Sequence, residues 1–195
     1  KADLIASFEN RSDLTILDIG CGDGVVEKFL KEKFPKAFIQ AVDISEKSIS
    51  VARQQSLSDV EFSVYDGKRL PFGNDRFDVV LLASVLHHVD FNLHIEVITE
   101  IRRVMKSGGR LYIFEHNPLN PATQYIVRTC EFDKYACLLS PGYAVGMLRK
   151  SGFQNIAKRF LLFFPRHKWL TLLHRIEPAL SRIPLGAQYL LRAVK

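Results

Sequence analysis

A chain of 195 residues, 47% apolar and 25% charged, is long enough to bury one substantial core and has the balance of an ordinary globular protein, which excludes the collagenous, low-complexity and disulfide-stapled classes. No apolar run approaches the roughly 20 residues that cross a bilayer; no signal-peptide pattern follows Lys1; and the three cysteines, Cys21, Cys130 and Cys137, lack metal-ligand spacing, so reduced thiols in a cytoplasmic protein are expected. The net charge of +6 is uneven, with 17 basic and 20 acidic residues up to position 145, then 10 basic residues and one acid, Glu177, which favours an anionic partner near the C-terminal end.

In chain order, residues 3–9 fit a short helix with Leu4, Ile5 and Phe8 on one face. An apolar strand over residues 14–19 then runs into Gly20-Cys21-Gly22-Asp23-Gly24, and a helical pattern (Val25, Val26, Phe29, Leu30) follows and stops at Pro35. Strand, glycine turn and helix together present free N–H groups to a nucleotide-type ligand. A second strand over residues 37–42 ends at Asp43, and Ser45 caps a helix running to about residue 57. An acid at the end of the second strand, about 20 residues past the glycine turn, is placed to accept hydrogen bonds from two ribose hydroxyls. Val60–Val64 is a third strand, followed by Tyr65-Asp66-Gly67, which by itself reads as an ordinary Asp-Gly turn.

Phe77–Ala83 is nearly continuous in apolar residues, as expected of a strand buried on both faces of a parallel sheet. Ser84-Val85-Leu86-His87-His88-Val89 follows. The two histidines share no helical face and have no neighbouring third ligand in sequence, so no metal is expected, while His88, His116 and His87 stand as weak general-base candidates. Residues 92–105 are helical in pattern, Lys106-Ser107-Gly108-Gly109 reads as the helix stop, and residues 110–115 form a fifth strand.

Beyond it, residues 123–129 fit a helix, and Ser140-Pro141 opens another that runs to Lys150. His116, Asn117, Arg128 and Tyr143 are candidates for facing a substrate. Two more strands, residues 156–164 and 187–194, flank a basic amphipathic stretch at 166–183, with Trp169, Leu173, Ile176 and Leu180 at helical spacing and Arg166, Lys168, Arg175 and Arg182 around them; Pro178 is expected to divide it. Such a stretch fits peripheral contact with an anionic membrane surface, or a core stripe with solvated charges.

The alternation of strands and helices predicts an α/β doubly wound, mostly parallel seven-stranded sheet with helices on both faces. The stretch Leu17-Asp18-Ile19-Gly20-Cys21-Gly22-Asp23-Gly24 resembles motif I (acid-hydrophobic-G-x-G-x-G) of the class I S-adenosylmethionine (SAM) dependent methyltransferases. Ala83-Ser84-Val85-Leu86-His87-His88 resembles their motif IV, and helix, Met-Lys-Ser-Gly-Gly, strand is similar to their helix, L-K-P-G-G, strand, with a serine for the proline. The resemblance covers about residues 14–116. It implies an antiparallel C-terminal hairpin, a substrate-covering region over about 117–150, and closing strands with the basic insert over 151–195, all in one domain spanning 1–195.

It further implies SAM as cofactor and a cofactor-binding set of Asp18, Gly20, Cys21, Gly22, Asp43, Ile44, Asp66, Gly67, Ala83 and Ser84. In that set Asp18 supports the methionine part, Asp43 the ribose, Asp66 and Gly67 the adenine, and the Ala83–Ser84 backbone the amino-acid end. The expected activity is methyl transfer to a small-molecule acceptor, anionic or lipid-linked, with the enzyme cytoplasmic or peripheral to a membrane. Other readings are a turn that only connects strand to helix, a non-catalytic SAM-fold module or partner subunit, and an NAD-dependent oxidoreductase. The dinucleotide fingerprint wants its third glycine where this chain has Val25, and Asp18 would repel a pyrophosphate. A nucleic-acid base enzyme is disfavoured because Ala83-Ser84-Val85-Leu86 is not the Asn/Asp-Pro-Pro-aromatic motif that holds a flipped base.

Overall fold

Apolar residues on both faces force a strand to the middle of a sheet, and β1 (Thr15–Ile19) and β4 (Phe77–Ala83) occupy that position. In the computed structural model, which describes residues 1–164 and 171–195, they pair in parallel and carry β2 (Phe38–Asp43) and β3 (Val60–Val64) on one side. On the other side lie β5 (Met105–His116), β6 (Gln154–Leu161) and β7 (Gln188–Val194). The seven-stranded order is β3-β2-β1-β4-β5-β7-β6, with β7 antiparallel to both neighbours, so the expected closing hairpin is present.

Alternate residues of β4 feed two cores. Val80 and Leu82 face α4 (His94–Val104) and α6 (Pro141–Lys150), while Val79 and Leu81 face α1 (Ala2–Ala6) and α2 (Val25–Lys33). α3 (Glu46–Arg53) packs Ile49 and Ala52 on Ala41 and Phe62. Phe77, fully buried against Phe72 with ring centroids 5.0 Å apart, anchors the first core. Truncating such a ring costs about 3–5 kcal/mol.

Register sets the functional edge. Ile19 pairs with Val42 and with Leu82, Asp43 with Val64, and Ala83 with Phe114. The carboxyl ends of β1 to β5 therefore finish level, on either side of the point where strand order reverses between β1 and β4.

The caps read from sequence are made: Ser45 Oγ accepts from Ser48 N, and Ser140 Oγ from Tyr143 N, ahead of Pro141. α5 (Pro121–Thr129) opens two residues earlier than expected because Asn120 caps it through Thr123 N. α3 ends at Arg53, short of residue 57, as Ser56 and then Asp59 take left-handed φ of 49° and 57°. The segment 106–109 is not a free helix stop but a bulge inside β5, where pairing jumps from Phe77↔Met105 to Val79↔Arg110. Gly109 is needed there, since a Cβ would lie 2.8 Å from Lys106 O. β6 stops at Leu161 because Leu162 has φ 60°, and a bulge at Asn155 (φ 49°) shifts its start. The basic insert forms two short helices, α7 (Thr171–His174) and α8 (Glu177–Leu180), with Pro178 in the first turn of the second. Its Arg166, Lys168 and Trp169 lie outside the described residues.

Candidate functional site

The glycine turn after β1 has Gly20, Gly22 and Gly24 at φ 75°, 59° and 83°, a conformation that side-chain-bearing residues rarely take. Gly20 is also pinned by space, because a Cβ there would fall 2.4 Å from Val85 Cγ2 in the turn after β4. Gly20 N and Cys21 N donate to Val42 O at 2.7 and 3.1 Å. Asp43 staples the turn to the next helix: Gly22 N donates to Oδ2 and Ser45 N to Oδ1, each at 2.9 Å. Each oxygen keeps a lone pair, so the carboxylate can still accept from a pair of hydroxyls. The buried Cys21 thiol has its pKa pushed up by burial and stays neutral.

Beneath the turn, Asp18 is 1% exposed, and neither of its oxygens has a hydrogen-bond partner among the described residues. It lies against Glu27 of α2, also fully buried. As carboxylates the two have no donor between them. Burial raises the pKa of both, and for Asp18 the neighbouring Glu27 adds to the rise, so the pair retains a proton that either acid alone in water would lose. The opposing influence on Asp18 is Lys1, whose own pKa is lowered by burial and raised by Asp18 and Glu115. A buried carboxylate with unused oxygens, directly ahead of a glycine turn, fits a cationic ligand group better than a phosphate.

Along the edge, Ile44 is 67% exposed despite being apolar, and its Cγ2 would sit 3.2 Å from a Cβ at Gly67, which has φ 76°. Asp66 is exposed; its Oδ1 accepts from Lys68 N and Arg69 N at 2.9 and 3.0 Å, and these bonds hold its pKa below the usual value. One oxygen therefore closes the local turn and Oδ2 faces outward.

The β4 end is strained. Ser84, a non-glycine residue, has φ 63°, and its N–H donates to Phe114 O at 2.8 Å. This twist aims the next two N–H groups, of Val85 and Leu86, at Glu115 Oε1 at 3.0 and 2.8 Å. The other oxygen, Oε2, meets His87 Nδ1 at 2.6 Å. His87 and Glu115 are both buried, whereas His88, on the same 3-10 turn (Leu86–His88), is exposed. His87 Nε2 and His88 Nε2 each lie 3.5 Å from Asp133 Oδ1. The His116 ring stands 5.1 Å from that of His87.

Burial lowers the pKa of His87, but Glu115 outweighs it and the net shift is upward; His88 and His116 are lowered, chiefly by burial. The three histidines named from sequence thus converge. Glu115 and Asp133 were not foreseen; folding brings Asp133, from the 131–133 turn, beside the histidine pair, and the three could hold a metal ion.

The substrate-facing expectations divide. Tyr143 is partly exposed, with its OH 3.0 Å from Nδ1 of the buried His94. Arg128 is exposed on α5 and donates to Gln124. Asn117 is not available to a substrate: it is fully buried and clamps the chain before β7 by donating to Pro184 O and Gly186 O at 3.1 and 2.8 Å.

Residues 16–109 match the family model described as a methyltransferase domain. A demethylmenaquinone methyltransferase of Thermotoga maritima is 38% identical over 105 residues, which are 54% of this chain and 44% of the relative. A ubiquinone/menaquinone biosynthesis C-methyltransferase of Pseudomonas putida is 31% identical over 137 residues, 67% of this chain and 51% of the relative. The chain spans about half the length of the curated relatives it matches. In fold, a SAM-dependent methyltransferase from Archaeoglobus fulgidus superposes with a TM-score of 0.73 at 19% identity, covering 100% of this chain and 95% of that one. Phosphoethanolamine N-methyltransferase 2 of Haemonchus contortus, solved with SAM, gives 0.71 at 18% identity over 99% of this chain and 51% of that one. Residues 16–109 therefore read as a methyltransferase domain, running from β1 through the β5 bulge, and the whole chain has the fold of the SAM-dependent methyltransferases it superposes with.

Proposed function

We propose that this chain holds SAM along the carboxyl ends of β1 to β4 and passes its methyl group to a small molecule seated over the ends of β4 and β5. The observation that carries the reading is Asp18, a carboxylate sealed beneath the glycine turn with no hydrogen-bond partner among the described residues. In the free protein the proton retained with Glu27 keeps so buried a group tolerable, and a ligand cation meeting Asp18 would take that proton's place.

When bound, SAM supplies a methyl group activated by a positively charged sulfur. Asp18 faces the amino-acid end, together with the Ala83–Ser84 backbone, whose conformation the left-handed Ser84 fixes. Asp43 offers its remaining lone pairs to the ribose, Gly20, Cys21 and Gly22 allow close approach of the backbone, and Ile44, Gly67 and Asp66 frame the adenine. Holding acceptor and methyl group at near-attack distance can supply on the order of 7–11 kcal/mol of the barrier. An acceptor that keeps its proton at neutral pH needs a proton acceptor, and His87, His88 and His116 stand on that side of the edge.

The acceptor we favour is a ring or headgroup carrying a lipid tail, in line with the quinone-type substrates in the names of the matched relatives. Exposed Leu119, Tyr125, Ile126, Leu172, Ile176 and Leu185, with Arg175 and Arg182 among the basic C-terminal residues, fit peripheral contact with an anionic membrane. Calorimetric titration with S-adenosylhomocysteine, with NAD in parallel, tests the cofactor reading. Micromolar binding of the first alone supports it, and binding of neither overturns it.

A further inference from the structure

We infer that His87, His88 and Asp133 form a binding site for a divalent transition-metal ion of the zinc type, placed to hold an oxygen of the methyl acceptor. The oxygen-holding role rests on the function proposed above; the existence of the site does not.

The argument begins with Glu115. Its buried carboxylate accepts from two backbone N–H groups through Oε1 and from His87 Nδ1 at 2.6 Å through Oε2. That arrangement puts the His87 proton on Nδ1 and leaves the Nε2 lone pair facing the other way. Nε2 looks toward Asp133 Oδ1 at 3.5 Å, and His88 Nε2 looks toward the same oxygen at 3.5 Å. Both distances are longer than the roughly 2.7–3.2 Å of a close hydrogen bond, so two imidazoles share one carboxylate oxygen through long ion-pair contacts. Metal ligation reconciles them. An ion about 2.0–2.2 Å from imidazole nitrogen and carboxylate oxygen sets tetrahedral ligand atoms roughly 3.3–3.6 Å apart.

One ligand atom from each residue already lies within 4.8 Å of the other two. The remaining approach belongs to His88, whose side chain is 45% exposed. The carboxylate–histidine pair behind the site is the outer support that metal-bound imidazoles ordinarily have, fixing tautomer and ring orientation. Two imidazoles and one carboxylate are borderline donors that favour zinc-type ions over magnesium or calcium, and three protein ligands leave a fourth position open. The cluster stands just beyond the ends of β4 and β5, with the His116 ring 5.1 Å from that of His87. A hydroxyl bound there loses its proton to solvent more readily, and its oxygen, or a ring carbon it activates, then has the electron pair that a methyl acceptor requires.

The test uses metal-stripped protein titrated with Zn2+ by calorimetry and with Co2+ by visible absorption, alongside His88→Ala, Asp133→Ala and Glu115→Gln, each also titrated with S-adenosylhomocysteine. Expected are one ion per chain, a tetrahedral Co2+ spectrum, a 100-fold or greater loss of affinity in the two ligand variants, and a 10- to 100-fold loss in Glu115→Gln, with S-adenosylhomocysteine binding kept in His88→Ala and Asp133→Ala. Absence of Zn2+ binding in the parent protein, or binding that survives both ligand replacements, overturns the site. Metal binding without cofactor binding overturns the proposed function and leaves the metal site standing.

Discussion

Replacing Asp18 by Asn should stabilise the free protein and weaken its hold on the cofactor. The substitution keeps the shape of a side chain that is 1% exposed and has no hydrogen-bond partner among the described residues. It removes one of two facing carboxyl groups and replaces the proton the pair must retain with a permanent donor, since the Asn amide can bond to Glu27 at any pH. Relieving a buried unsatisfied group is worth about 1–3 kcal/mol, or a rise of roughly 2–4 °C in Tm per kcal/mol for a chain of this size.

The pH dependence carries the sign. Asp18 and Glu27 have folded-state pKa values raised by burial, so their contribution is most favourable below the unfolded values and is lost as pH rises through the folded ones. The advantage of Asp18→Asn over the parent should therefore be small near pH 5 and grow toward pH 8. Thermal melts across that range, with and without S-adenosylhomocysteine, read both effects. Cofactor affinity should fall by about 1.5–3 kcal/mol, the scale of a lost bond to a charged group. A variant that melts below the parent at pH 8, or that binds the cofactor equally well, would refute the assignment of Asp18 as a strained seat for a cation.

Asp43→Ala should weaken SAM binding by about 1–3 kcal/mol in calorimetry, because it loses the ribose acceptor and also frees Gly22 N and Ser45 N; unchanged affinity sinks the ribose assignment. Gly20→Ala combines a φ of 75° with a contact 2.4 Å from Val85, so it should lower Tm and abolish measurable cofactor binding, and a normal titration would show that the turn is not the site. Charge reversal by Arg175→Glu and Arg182→Glu should reduce sedimentation with anionic vesicles. Absence of salt-dependent vesicle binding by the parent protein would count against membrane contact.

The strand-end edge on which the cofactor is proposed to sit was legible because its signals are local. A glycine turn after an apolar strand, an acid at the next strand end and an uninterrupted run such as Phe77–Ala83 each announce a structure within a few residues. Ser140-Pro141 fixed a helix start for the same reason. What escaped was decided by partners remote in sequence. Glu115 reads as the last residue of a strand, and its meaning comes from His87, 28 residues away. Glu27 sits in an ordinary helical stretch and becomes unusual only when α2 presses it onto Asp18. Asp133 lies in a polar-aromatic segment with no periodicity. The extent of β5 was missed because Gly108 and Gly109 carry a bulge rather than a helix end, a choice made by the pairing partner β4.

The turn after β4 joins the two halves of the site. Val85 presses on Gly20 of the cofactor turn through its side chain, while its N–H binds the Glu115 that orients His87. Both contacts depend on the left-handed Ser84 that aims the turn. A residue in that conformation costs of order 1–3 kcal/mol, and the surrounding bonds, Ser84 N to Phe114 O and the two N–H groups to Glu115, hold it there. A side chain added at Gly20 would displace Val85, whose N–H supports Glu115 beneath His87. The three imidazoles are therefore positioned by the same few bonds that shape the turn after β4, so, if the cofactor lies along the strand ends as proposed, substitutions at Glu115 should disturb cofactor affinity as well as the histidine cluster.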